Sequence, residues 1–133
     1  METVNLTSFE NAVNSLIKIL ERWNLDKTDD IVRDSMIQRF EYTFSFSVKI
    51  MNRFLDLQSY EGINKLTFNE IIRKSNQYGI IKSNLETWDN YRQKRNMTSH
   101  AYDENVAKDV IAIIPDFKDE AIYLLNRLKE KLL

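Results

Sequence analysis

The sequence predicts an all-α fold, an antiparallel up-and-down bundle of about five helices. Three observations carry it. Only two glycines and one proline interrupt 133 residues, which leaves few turn signals and room for long helices. Apolar residues recur at helical spacing, with no strand-like alternation. Three hydroxyl-x-x-glutamate runs, Thr7–Glu10, Thr67–Glu70 and Ser83–Glu86, have the form of a capping box at a helix start.

The first helix is expected from Ser8 to Trp23, where Phe9, Ala12, Val13, Leu16, Ile19, Leu20 and Trp23 make one apolar face. A second starts near Thr28, with Asp29 and Asp30 in its first turn, and runs to about Leu57, roughly 45 Å at 1.5 Å per residue. It carries two apolar stripes. Ile37, Phe40, Phe44, Val48, Met51 and Leu55 form one; Met36, Phe46, Ile50, Phe54 and Leu57 form much of the other. A helix apolar on two sides is covered on two sides, so this one is either central or shared with a second subunit. A connection follows around Gly62. A short third helix runs from about Phe68 to Tyr78, with Gly79 as its stop. The fourth begins near Asn84 and carries Leu85, Trp88 and Tyr91. The fifth begins after Asp103, breaks at Pro115 and resumes to the end. The expected organisation is one domain over residues 1–133.

Composition excludes several functions. Cysteine is absent and histidine occurs once, so neither a disulfide framework nor a zinc site is expected. No glycine-rich loop is present to cradle phosphates. The formal charge of −1 gives no generally basic surface, so any RNA contact must be local. No apolar run approaches the roughly 18 residues that span a bilayer. With no basic, apolar leader at Met1–Leu6, a cytoplasmic location without membrane contact is expected.

The residues that carry chemistry cluster in one stretch, Arg95-Asn-Met-Thr-Ser-His-Ala-Tyr102. In a continuous helix Arg95 and His100 would stand about 140° apart. Thr98, Ser99 and Asp103 favour caps and turns. If the fourth helix ends near Arg95, a loop can bring the arginine and the histidine to one cleft. His100 would then move a proton from a ribose 2′-hydroxyl or to a leaving oxygen. Arg95 would hold the phosphoryl oxygens in its planar fork. Asn96, Thr98 or Ser99 would orient the phosphate, and Tyr102 would donate a hydrogen bond or stack on a base. No metal or other cofactor is required. The same residues also fit a solvated interhelical turn with basic side chains at a helix C-terminus.

Arg95-x4-His100-x-Tyr102 is similar to the signature of HEPN domains. The chain more specifically resembles the bacterial nucleotidyltransferase substrate-binding protein family, through Arg33-Asp-Ser-Met-Ile-Gln-Arg-Phe-Glu-Tyr-Thr-Phe44, Trp88, and Arg95 to Glu104. The resemblance covers nearly the whole chain. It implies a HEPN-like bundle that forms a homodimer and pairs with an adjacent minimal nucleotidyltransferase. In many such pairs the HEPN member is a metal-independent ribonuclease toxin acting on RNA, and the nucleotidyltransferase is its antitoxin. The resemblance puts the catalytic arginine and histidine at Arg95 and His100, the following polar residue at Asn96, and a tyrosine that some antitoxins adenylylate at Tyr102. Relatives often carry threonine where Ala101 stands. Some HEPN enzymes draw an acidic residue from another helix; Glu41, beside Arg39, is the candidate. A second function stays open beside the first, a non-catalytic subunit that holds substrate or nucleotide for the nucleotidyltransferase.

Overall fold

A computed structural model describes residues 4–58 and 65–132. Among these, five α-helices and one 3₁₀ turn follow in order: α1 (Thr7–Leu25), α2 (Asp30–Gln58), α3 (Phe68–Gln77), α4 (Leu85–Met97), the turn Thr98–His100, and α5 (Glu104–Leu132). The all-α bundle read from the sequence is the fold. The connection expected around Gly62 lies outside the described residues.

α1 and α2 form a hairpin whose short turn is pinned by side chains. Asp26 accepts from the Thr28 backbone N–H at 3.0 Å and from its hydroxyl at 2.5 Å. Asp29 caps α2 by accepting from Ile31 and Val32; it stands just before the helix rather than inside its first turn. The two apolar stripes of α2 are both accounted for within one chain. Met36, Ile50 and Phe54 are as buried as Phe40 and Met51, and α1, α3, α4 and α5 all pack against α2. Phe46 is half-buried and Leu57 exposed. α2 is therefore the central helix, and its second stripe needs no second subunit to cover it.

An aromatic cluster ties α2, α4 and α5 together. Phe117 meets Phe40 edge-on at 5.1 Å and Tyr91 at 5.2 Å, and Trp88 meets Tyr91 at 5.4 Å between centroids. Such edge-to-face pairs add to the burial of their area. Burial near Glu120, Asp116 and Asp119 pushes the Tyr91 phenol well above its ordinary range, so it stays neutral. Glu120 itself is buried on α5. It accepts from the Lys82 and Ser83 backbone N–H groups, the Ser83 hydroxyl and the Trp88 indole. One carboxylate thus fastens the α3–α4 connection to α5.

The helix starts and one helix interior differ from the sequence reading. Thr67 and Glu70 form the full capping box. The other two boxes do not form. Ser83 is taken by Glu120, and Asn84 caps α4 by accepting from Thr87. Thr7 lies inside α1, and its N–H is satisfied by Asn5. α5 does not break at Pro115 but runs through it. Ile114 and Phe117, fully buried on either side, hold the helix together across the one bond that proline removes. Gly79 ends α3 as expected, at φ 74°, a left-handed geometry that favours glycine.

Candidate functional site

The chain reverses between α4 and α5 over Thr98–Asp103. α4 does not end near Arg95; it runs to Met97, so Arg95 projects from a helix and not from a loop. The Arg95 carbonyl accepts from the Thr98 backbone N–H, and the Thr98 hydroxyl lies 2.8 Å from the same oxygen. The 3₁₀ turn follows, closed by Ala101 N–H to the Thr98 carbonyl at 3.2 Å. Asp103 then caps α5, accepting from Asn105 at 2.9 Å. Cap chemistry at Thr98 and Asp103 sets the turn, as their residue types suggested.

Two groups of side chains form on this turn. In the first, Arg95 faces Glu41 of α2 at 3.8 Å, and the other Glu41 oxygen lies 2.7 Å from the Thr98 hydroxyl, whose one hydrogen is shared between it and the Arg95 carbonyl. In the second, His100 Nδ1 stands 3.4 Å from the Tyr102 hydroxyl, a long contact for a hydrogen bond, with the two rings 6.0 Å apart. The groups meet at a cleft of about 320 Å³ lined by Glu41, Thr98, Ala101 and Tyr102 with Arg33 and Ile37. Arg95 and His100 stand beside this cleft, each reaching it through a neighbour. Asn96 and Ser99 are exposed, and their side chains make no hydrogen bond among the described residues. Tyr102 is 83% exposed, so its hydroxyl is open to a reagent or a base.

Of the two α2 candidates, Glu41 reaches the turn and Arg39 does not. Arg39 points to α1, donating to the Ser15 carbonyl at 2.9 Å. The pair that sequence reasoning missed is Arg33 and Glu104. Arg33 Nη1 lies 3.0 Å from both Glu104 oxygens, with Asp34 at 3.3 Å and Asp30 at 3.7 Å. The Glu104 contact holds the Arg33 guanidinium above its usual range. This pair fastens the start of α5 to α2, immediately after the turn. No local pattern joins residues 71 positions apart. Among the described residues, no three His, Asp or Glu side chains converge as metal ligands would, and no helix is long and apolar enough to cross a membrane.

The fold and this turn define a helical-bundle protein that carries an arginine, a histidine and a tyrosine around the reversal between its last two helices, with a glutamate of α2 packed against them. Residues 4–130 match the family described as nucleotidyltransferase substrate binding protein like, and the chain belongs to that family of HEPN domains. It is 33% identical over 130 residues to a Haemophilus influenzae protein called probable ribonuclease HepT, covering 93% of this chain and 88% of that one. A Haemophilus influenzae structure described as revealing the fold of a substrate-binding domain of a nucleotidyltransferase superposes with a TM-score of 0.87. The two are 31% identical, over 94% of this chain and 99% of the other. A Thermus thermophilus structure follows at TM-score 0.68 and 28% identity, over 88% of this chain and 98% of the other.

Proposed function

We propose that this chain is a metal-independent endoribonuclease, the HEPN member of a toxin–antitoxin pair with a minimal nucleotidyltransferase, acting as a cytoplasmic homodimer. The observation that carries this reading is the turn itself, where Thr98 and Glu41 brace Arg95 while Tyr102 lines the cleft and His100 stands against Tyr102. The similarity to a protein called probable ribonuclease supports it.

The chemistry follows from the groups. His100 takes the proton of a ribose 2′-hydroxyl, whose oxygen attacks the adjacent phosphorus. The 5′-oxygen leaves and is protonated, giving a 2′,3′-cyclic phosphate and a 5′-hydroxyl end. The Arg95 fork holds the non-bridging oxygens as charge gathers on them. Glu41 keeps that fork in place, and Thr98 keeps Glu41 in place. Exposed Asn96 and Ser99 are free to bind phosphate or base. Tyr102 stacks on a base, or accepts an adenylyl group from the nucleotidyltransferase.

The test uses purified protein freed of its nucleotidyltransferase. Cleavage of RNA persists in EDTA, ends in 2′,3′-cyclic phosphate, and fails on 2′-O-methyl substrates. His100→Ala slows it by about 10²–10⁴-fold, and Arg95→Lys is also poor because a point charge does not reproduce the fork. Tyr102→Phe keeps cleavage but escapes silencing by the partner. Intact RNA after incubation with correctly folded wild-type protein overturns the reading and leaves a binding subunit in its place.

A further inference from the structure

A second cavity lies next to the turn and is larger than the cleft there. It occupies about 560 Å³ between the C-terminal end of α1, the start of α2 and the first half of α5, within the size range of small-ligand sites. Its apolar lining includes Leu20, Trp23, Met36 and Ile111. Trp23 is half-buried, so part of its ring remains open. Lys27 and Lys108 also line it, and both are exposed. The two carboxylates of the lining, Asp30 and Glu104, are engaged by Arg33. Among the described residues neither lysine is in an ion pair. Lys27 sits on the turn that Asp26 and Thr28 pin, so its backbone is held in advance.

One further feature ties the groove to the site. Arg33 lines both this groove and the cleft of Tyr102, which makes the two spaces neighbours across one guanidinium. A flat aromatic wall and two uncommitted cations complement a base with its phosphate.

We propose that this groove takes a nucleotide of the RNA strand that flanks the scissile phosphate, with its base against Trp23 and its phosphate between Lys27 and Lys108. The identity of the strand rests on the ribonuclease reading; the nucleotide chemistry of the groove does not.

The experiment reads tryptophan fluorescence. Trp23 and Trp88 are the two tryptophans of the chain, and Trp88 is fully buried, so quenching by an added base reports on Trp23. The probes are a non-cleavable 2′-O-methyl RNA hexamer, AMP and inorganic phosphate. The hexamer quenches saturably, AMP does so more weakly, and phosphate does not. Lys27→Glu with Lys108→Glu, both exposed and outside the core, weakens hexamer binding about tenfold or more and flattens its salt dependence. Trp23→Leu, which removes the reporter and is therefore followed by the anisotropy of a fluorescently labelled hexamer, weakens binding about fivefold or more, the lower range of base stacking. In cleavage assays the double lysine variant raises KM with little change in kcat.

Absence of quenching at millimolar hexamer, or quenching unaffected by the lysine reversal, overturns the proposal even if RNA is cleaved. Equal affinity for AMP and hexamer overturns the assignment to a strand. Quenching with the predicted lysine dependence in a protein that cleaves nothing upholds the nucleotide groove while the ribonuclease reading falls.

Discussion

Glu41 and Glu120 are both carboxylates inside the helical scaffold, and their surroundings give them different work. Glu41 is half-exposed and divides its oxygens between Arg95 and Thr98. An ion pair this open contributes up to about 1 kcal/mol. Glu41→Gln therefore slows RNA cleavage by at most about fivefold and costs at most about 1 kcal/mol of stability, as kinetics beside a melting curve would show. Glu120 is 2% exposed and satisfies four donors. Glu120→Ala strands those donors at about 1–3 kcal/mol for each that finds no water. We expect a loss of about 3 kcal/mol in urea unfolding, with Glu120→Gln losing less because one acceptor oxygen stays. An unfolding curve that matches wild type would mean the donors find other partners. The residue types on the turn were legible in the sequence because they are chemically distinctive and close together, and Glu41, named as a candidate, does reach that turn. Arg39 was misjudged and Arg33, Glu104 and Glu120 were passed over for one reason. Which charged residue of a helix turns inward depends on partners far along the chain, and periodicity carries no information about them.

At the scale of elements, periodicity found all five helices because each buries an apolar face, and it missed where competition decides the outcome. Ser83 had the right spacing for a cap, but a buried carboxylate 37 residues away claims its hydroxyl. Thr67 has no such rival, and there the box forms. Its Glu70 carboxyl is held below the usual range by the hydrogen bonds with Thr67. A folded pKa below the unfolded one means the box stabilises α3 fully above the ordinary value of 4.5, and that contribution fades as pH falls through the lower folded value. Thr67→Ala should cost about 1 kcal/mol at neutral pH, and the difference from wild type should narrow in acid. A gap that holds constant from neutral pH into strong acid would exclude this account. Pro115 is the converse case. The local rule predicts a break, yet packing on both sides carries α5 through. Pro115→Ala should then raise the melting temperature, since it restores an N–H at an exposed position.

At the scale of the whole molecule, association has to be argued from the surface that one chain leaves open. The second stripe of α2 no longer argues for a dimer, because α1 and the neighbouring helices already bury it. The large exposed apolar residues among the described ones fall in separate places. Leu25 and Ile31 flank the α1–α2 turn, Leu57 and Tyr78 lie toward the far end of α2, and Tyr102 stands on the site turn. No single patch of this kind makes a wholly apolar interface, and a net charge of −1 gives little long-range attraction between copies or toward a partner. A homodimer would accordingly have a mixed interface of modest salt sensitivity, held by shape, local charge pairs and a few apolar anchors. Placing two site turns around a shared cleft would shield Tyr102, whose ring is otherwise in water. Sedimentation equilibrium should give the dimer mass at micromolar concentration in both low and moderate salt. Co-expression with a minimal nucleotidyltransferase of the proposed pair should give a complex that persists through size exclusion in the same buffers. Tyr102→Asp should shift the sedimentation profile toward monomer, whereas Leu57→Asp, at the far end of α2, should not. A wild-type monomer at micromolar concentration would remove the shared cleft, and each Arg95–His100 turn would have to act alone.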